Sequence, residues 1–140
     1  MIRHVVFSHG KESGPWGTKI QALATIARNQ GWNVVSVDYQ GLADATARVE
    51  RLIEEGPRFG PSPVLVGSSM GGHVAAAAAE PLGSGGLFLM APAFFMPGYE
   101  HLTPAAVTCP VEIVHGWRDE VVPVDHSVRW ARACGATLHL

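Results

Sequence analysis

A chain of 140 residues is the size of one domain and too short for two. With 47% hydrophobic and only 16% charged residues, intrinsic disorder is excluded and an element buried on several sides is implied. The net charge of -2 at pH 7, with its basic residues scattered, leaves no stripe that would take a nucleic acid as partner.

The chain alternates short apolar runs with helical periods. His4–Ser8 is a β-branched first strand. Ile20, Leu23, Ala24 and Ala27 keep the spacing of one helix face, and Gly31 stops that helix. Asn33–Val37 is a second strand. Ala45, Val49, Leu52 and Ile53 form the next apolar stripe, with Arg48, Glu50, Arg51, Glu54 and Glu55 expected mostly on the wet side. Pro57, Gly60, Pro61 and Pro63 mark a loop. A third strand is expected at 64–66, an alanine-lined helix at 71–80 and a fourth strand at 87–90. An irregular segment rich in proline and aromatics follows, then a fifth strand at Val111–Val114. Val124, Val128 and Ala131 mark a helix, and 137–140 a sixth strand.

Val5-Val6-Phe7 is too short for a secretory signal, and the apolar stretch 86–96 is broken by Pro92, so no membrane partner is expected. Cys109 and Cys134 show no Cys-x-x-Cys spacing and read as reduced core residues of a cytoplasmic protein. Strand–helix alternation argues an α/β fold. It predicts a three-layer, doubly wound, mainly parallel six-stranded sheet with helices on both faces. The common strand order puts a switch point between strands one and three, so a ligand site is expected just after His9 and just after Val66.

Both places carry motifs. Gly67-Ser68-Ser69-Met70-Gly71 matches G-x-S-x-G. In that motif a sharp strand-to-helix turn lifts the serine above the sheet edge, and glycine is needed at both flanking positions. The match is weak by itself and gains weight from its place between a strand and a helix. A plain glycine-rich turn is the alternative without chemistry. A phosphate-cradling loop is rejected, because its Lys and Ser/Thr are replaced by His73 and Val74. After strand one, Ser8-His9-Gly10-Lys11 offers the N–H of Lys11 as an oxyanion donor, to be paired with the N–H of Met70. The His9 side chain is expected only to bond within its loop. After strand five comes His115-Gly116-Trp117-Arg118-Asp119-Glu120-Val121-Val122-Pro123, where Asp119 can orient a histidine.

In order and spacing these three stretches resemble the α/β-hydrolase superfamily, in a small cap-less branch related to esterases and thioesterases. The resemblance covers essentially the whole chain as a single domain, 1–140. It implies that Ser69 is the nucleophile, Asp119 its acid partner, and the N–H groups of Lys11 and Met70 the oxyanion hole. No cofactor and no metal are expected, since no metal-ligand spacing links the histidines. The substrate implied is a small molecule with an ester, thioester or related acyl bond. A catalytically inactive binding protein of the same fold is the alternative.

The superfamily's base is a histidine in a loop after the sixth strand, followed by a closing helix. Neither lies within the 140 residues, so the natural protein is expected to continue for one loop and one helix. Substitutes within the chain are unfavourable. His139 sits inside a strand, and His73 is on a helix expected to run away from the site. His126, near a helix start, is the least unfavourable; His115 is expected to shape the Asp119 loop, and His4 and His101 have no partner by spacing. Phe94, Phe95 and Tyr99 could equally wall an acyl pocket or cover the sheet end.

Overall fold

The computed structural model describes residues 2–140. The strands are β1 (His4–Ser8), β2 (Asn33–Val37), β3 (Val64–Ser68), β4 (Gly86–Met90), β5 (Val111–Val114) and β6 (Thr137–His139). The helices are α1 (Thr18–Asn29), α2 (Ala45–Glu54), α3 (Met70–Ala79) and α4 (Val124–Cys134), with 3-10 turns at Gly56–Arg58 and Glu100–Leu102. All six strands form one parallel sheet in the order β2-β1-β3-β4-β5-β6. The chain order reverses between β1 and β3, where the sequence places it.

The period of two along each strand divides the core. Val6 and Leu65 point to a large cluster with Leu52 of α2, Val74 and the buried alanines of α3, and Trp130 of α4. Val5, Phe7 and Val66 point the other way, onto Ile20 and Ala24 of α1. Helices therefore cover both faces, unequally, because α1 is alone on its side. Under that arrangement β5 alternates buried and exposed residues, with Glu112 and Val114 outward.

Local chemistry explains the ends. Asp44 caps α2, its carboxylate accepting the Ala47 N–H at 2.9 Å. Gly31 and Gly135 take the left-handed conformation that ends α1 and α4. Small side chains on α3 let it lie between the sheet and α2, with Ala75, Ala76, Ala78 and Ala79 all buried. No described helix is long and apolar enough to cross a membrane.

Two expectations need correction. Strand β3 runs two residues further than the pattern shows, and α3 starts at Met70, so Ser69 alone joins them. Arg48 is 2% exposed, although its charge placed it on the wet side. Its spacing told otherwise: it stands three residues after Ala45 and four before Leu52, on the buried stripe.

Candidate active site

A one-residue link between strand and helix demands an unusual backbone. Ser69 has φ 54 and ψ -121, a conformation that costs an L-residue of order 1–3 kcal/mol. Neighbouring atoms enforce it. The Ser69 N–H donates to the Met90 carbonyl at 3.0 Å, and its own carbonyl accepts from Ala93 at 2.9 Å and Gly72 at 3.0 Å. Both flanking glycines are sterically required. A Cβ on Gly67 would stand 2.6 Å from the Gly71 carbonyl carbon and 2.7 Å from the Gly72 Cα. A Cβ on Gly71 would stand 2.5 Å from the His9 carbonyl oxygen. The turn thus packs directly against the loop after β1.

That loop is fixed from behind. The Tyr39 N–H donates to His9 Nε2 at 2.8 Å, so the proton sits on Nδ1, which donates to the Gly10 carbonyl at 2.8 Å. Burial, with Arg48 nearby, holds the His9 imidazole below its ordinary pKa and keeps it neutral. His9 therefore binds its own loop, as expected, and also the backbone after β2, which was not expected. Its neighbour Ser8 bonds the Tyr39 hydroxyl at 3.0 Å, and burial pushes the Tyr39 phenol up. The N–H groups of Lys11 and Met70 donate to no group among the described residues. Two open donors beside one serine are what an oxyanion requires.

A cavity of about 1010 Å³ opens over these groups. Lys11, Ser69 and Met70 line it, and its walls include Met90, Met96, Tyr99, Val121 and Val122. Tyr99 belongs to the wall, whereas Phe94 is core, stacked on Trp130 with ring centroids 4.6 Å apart. Phe95 lies under the Arg129 guanidinium and edge-on to His126. The aromatic segment thus divides, with Tyr99 on the cavity and Phe94 in the core.

Asp119 stands on the loop after β5. One carboxylate oxygen accepts the N–H groups of Val121 at 2.9 Å and Val122 at 2.8 Å; the other lies 3.6 Å from His115 Nε2. The Val122 and Val121 N–H groups, helped by His115, hold the Asp119 carboxyl below the usual range. His115 is buried, bonding Ser127 Oγ at 2.7 Å and the Val122 carbonyl at 2.8 Å. It shapes this loop and is not free to act elsewhere.

The other histidines separate. His126 Nδ1 bonds the Phe94 carbonyl at 2.7 Å, and His139 pairs with Glu112 at 2.9 Å on the surface. His73, expected to lead away from the site, instead lines the cavity. It is 8% exposed, burial lowers its pKa, and it has no hydrogen-bond partner among the described residues. Sequence reasoning missed it because helical direction was weighed above the length of its side chain. Burial pushes the thiols of Cys109 and Cys134 up, away from nucleophilic character. Among the described residues, no cluster of His, Cys, Asp and Glu is arranged to hold a metal.

Comparison with known proteins agrees with this architecture. Residues 5–139 match the model of a family described as "Alpha/beta hydrolase family". No curated protein matches the chain. Among solved structures, a protein of the α/β hydrolase superfamily from Xanthomonas campestris pv. campestris is 35% identical, with a TM-score of 0.86. The alignment covers 99% of this chain and 84% of that one. A monoacylglycerol lipase from Paleococcus ferrophilus shares the fold at 15% identity and a TM-score of 0.80, over 97% of this chain and 82% of that one. So does the type II thioesterase BorB of the borrelidin biosynthetic cluster, at 15% identity and a TM-score of 0.74, over 99% and 80%. The chain belongs to the α/β hydrolase family.

Proposed function

We propose that this protein is a serine hydrolase that cleaves a small ester, thioester or related acyl bond through an acyl-Ser69 intermediate. The observation that carries this reading is the strained Ser69 turn, which lines one cavity with Lys11 and Met70, whose N–H groups have no partner among the described residues. In the reaction the Ser69 hydroxyl loses its proton to a base as its oxygen attacks the acyl carbon. The carbonyl oxygen becomes an oxyanion held by the N–H groups of Lys11 and Met70, and the leaving group departs with a proton. Water then attacks the acyl-serine and releases the acid. Asp119 is the acid partner, stabilising the charged form of the base. Met90, Met96 and Tyr99 suit an apolar acyl chain, and the lipase and thioesterase that share the fold act on that class of bond.

One observation favours a second reading. Among the described residues no histidine joins Ser69 to Asp119: His115 is engaged on both nitrogens, and His73 makes no bond to Asp119. A protein that binds acyl ligands in the same cavity without turning them over would look the same.

A fluorophosphonate probe separates the two, with mass spectrometry to locate the adduct. A Ser69 adduct that disappears in Ser69→Ala is expected for the hydrolase. An unlabelled Ser69, under conditions that label a known serine hydrolase, sinks that reading and leaves the binding protein.

A further inference from the structure

Arg48 is the buried charged residue that this mechanism leaves unused. It projects from α2, is 2% exposed, and has no carboxylate partner among the described residues. A buried cation without a counter-ion is costly unless its donors are satisfied. Here carbonyls satisfy them. Nε donates to the Leu42 carbonyl at 2.7 Å and Nη1 to the Gly10 carbonyl at 3.1 Å. A longer bond of 3.4 Å runs from Nη2 to the Lys11 carbonyl, and the guanidinium lies 5.3 Å from the centre of the Tyr39 ring.

The Gly10 carbonyl is the informative acceptor. It takes a second hydrogen bond from His9 Nδ1 at 2.8 Å, so both donors fix its direction. Gly10 C=O and Lys11 N–H are opposite ends of one trans peptide plane. A carbonyl aimed inward at Arg48 and His9 therefore sends the Lys11 N–H outward, away from the guanidinium. The serine is close by: a Cβ on Gly10 would sit 3.8 Å from the Ser69 Cβ, and Lys11 and Ser69 line the same cavity. A cation bound to the carbonyl oxygen also draws charge through the amide and strengthens its N–H as a donor.

We propose that Arg48 is a positioning residue for the oxyanion hole, holding and polarising the Lys11 N–H through the Gly10 carbonyl. The inference rests on the serine-hydrolase reading of this site and deepens it. It explains why a full charge is buried on α2 where an apolar residue would fit the stripe. The donor is aimed before charge develops on the substrate oxygen, so no reorganisation is needed during the reaction.

The test compares wild type with Arg48→Met, which keeps the stem, and Arg48→Lys, which keeps the charge but not the fork. Hydrolysis of p-nitrophenyl acetate is measured per Ser69 titrated with fluorophosphonate. Affinity for an alkyl boronic acid, whose serine adduct places an oxygen in the hole, is measured beside it. The Lys11 amide and Gly10 carbonyl shifts are read by NMR. Arg48→Met is expected to lower kcat by about 100-fold, with KM within about threefold, since the loss is confined to the transition state. Boronic acid affinity falls in step, the two shifts move, and Arg48→Lys lies between. A merely structural arginine would lower the melting temperature and leave kcat per labelled serine unchanged. Should Arg48→Met fail to fold, Arg48→Lys carries the same readouts.

Rates within about threefold of wild type in the folded variants, with an unmoved Lys11 amide, overturn the proposal. If wild-type Ser69 takes no label, the hydrolase reading fails separately. The Lys11 shift then decides the clamp: movement in Arg48→Lys supports it, and constancy overturns it.

Discussion

Gly71 and Ser8 touch through their backbones: a Cβ on Gly71 would overlap the Ser8 carbonyl oxygen and reach within 2.6 Å of its carbon. This contact joins the serine turn to the loop that carries the other half of the site. Both sides are backbone, so neither can swing aside. Gly71→Ala is expected to destabilise the fold by about 3 kcal/mol or more, in the range of severe overpacking and strain. Urea unfolding measures it, and a loss under about 1 kcal/mol would show that the two loops can separate.

Ser69 holds a backbone that glycine adopts without cost. Ser69→Gly is expected to be about 1 kcal/mol more stable than Ser69→Ala, because alanine keeps the strain and glycine relieves it. On the proposed mechanism, neither variant is expected to hydrolyse an ester. Thermal melts of the pair give the difference; equal stability would mean that the turn is not strained.

Two histidines make stability fall in mild acid. The folded pKa values of His9 and His73 both lie below the ordinary 6.5, chiefly through burial. The unfolded chain therefore binds protons more readily as pH drops from about 6.5 through the lowered values. Stability is full above that window and is lost within it. His73→Gln, which carries no titrating group, is expected to flatten the dependence between about pH 7 and 5. Melting temperatures across this range decide; a slope unchanged by the substitution would show that His73 is not the group responsible.

On the proposed mechanism Asp119 has a chemical task beside its structural one, and two substitutions separate them. Asp119→Ala frees the Val121 and Val122 N–H groups, both in the cavity wall, and is expected to cost about 1–3 kcal/mol and to raise KM. Asp119→Asn keeps an acceptor oxygen for both. Its kcat is expected to fall by about a thousandfold or more with little change in stability near neutral pH, as for loss of a charged acid partner. Because the folded pKa is depressed, the carboxylate's stabilisation is present above about 3.9 and lost as pH falls below it. An Asn variant with wild-type kcat would remove Asp119 from the mechanism.

Much of the architecture was legible because it depends on local periodicity. β-branched runs such as His4–Ser8 and Asn33–Val37 and the stripes of α1 and α2 appear in the structure at nearly the expected positions. The Gly67-Ser68-Ser69-Met70-Gly71 turn was legible too, because its glycines answer a steric demand between residues four apart. The expected direction of its helix hid the reach of the His73 side chain, and Arg48 was misplaced for a second reason. A long polar side chain is assigned to solvent by composition, but its position on the helix, and what waits there, decides whether it is buried.

The order of apolar runs, turn glycines and proline breaks was enough to set the α/β class and to nominate both sheet-edge loops, since each follows from short-range stereochemistry. Tertiary structure alone decided which donors stay unpaired around Ser69. It also aimed the Gly10 carbonyl at Arg48 and turned His73 into the cavity. These contacts join residues far apart in the chain, such as Gly10 with Arg48 and His9 with Tyr39. Their geometry exists only once β1 and β2 lie side by side and α2 is packed against α3.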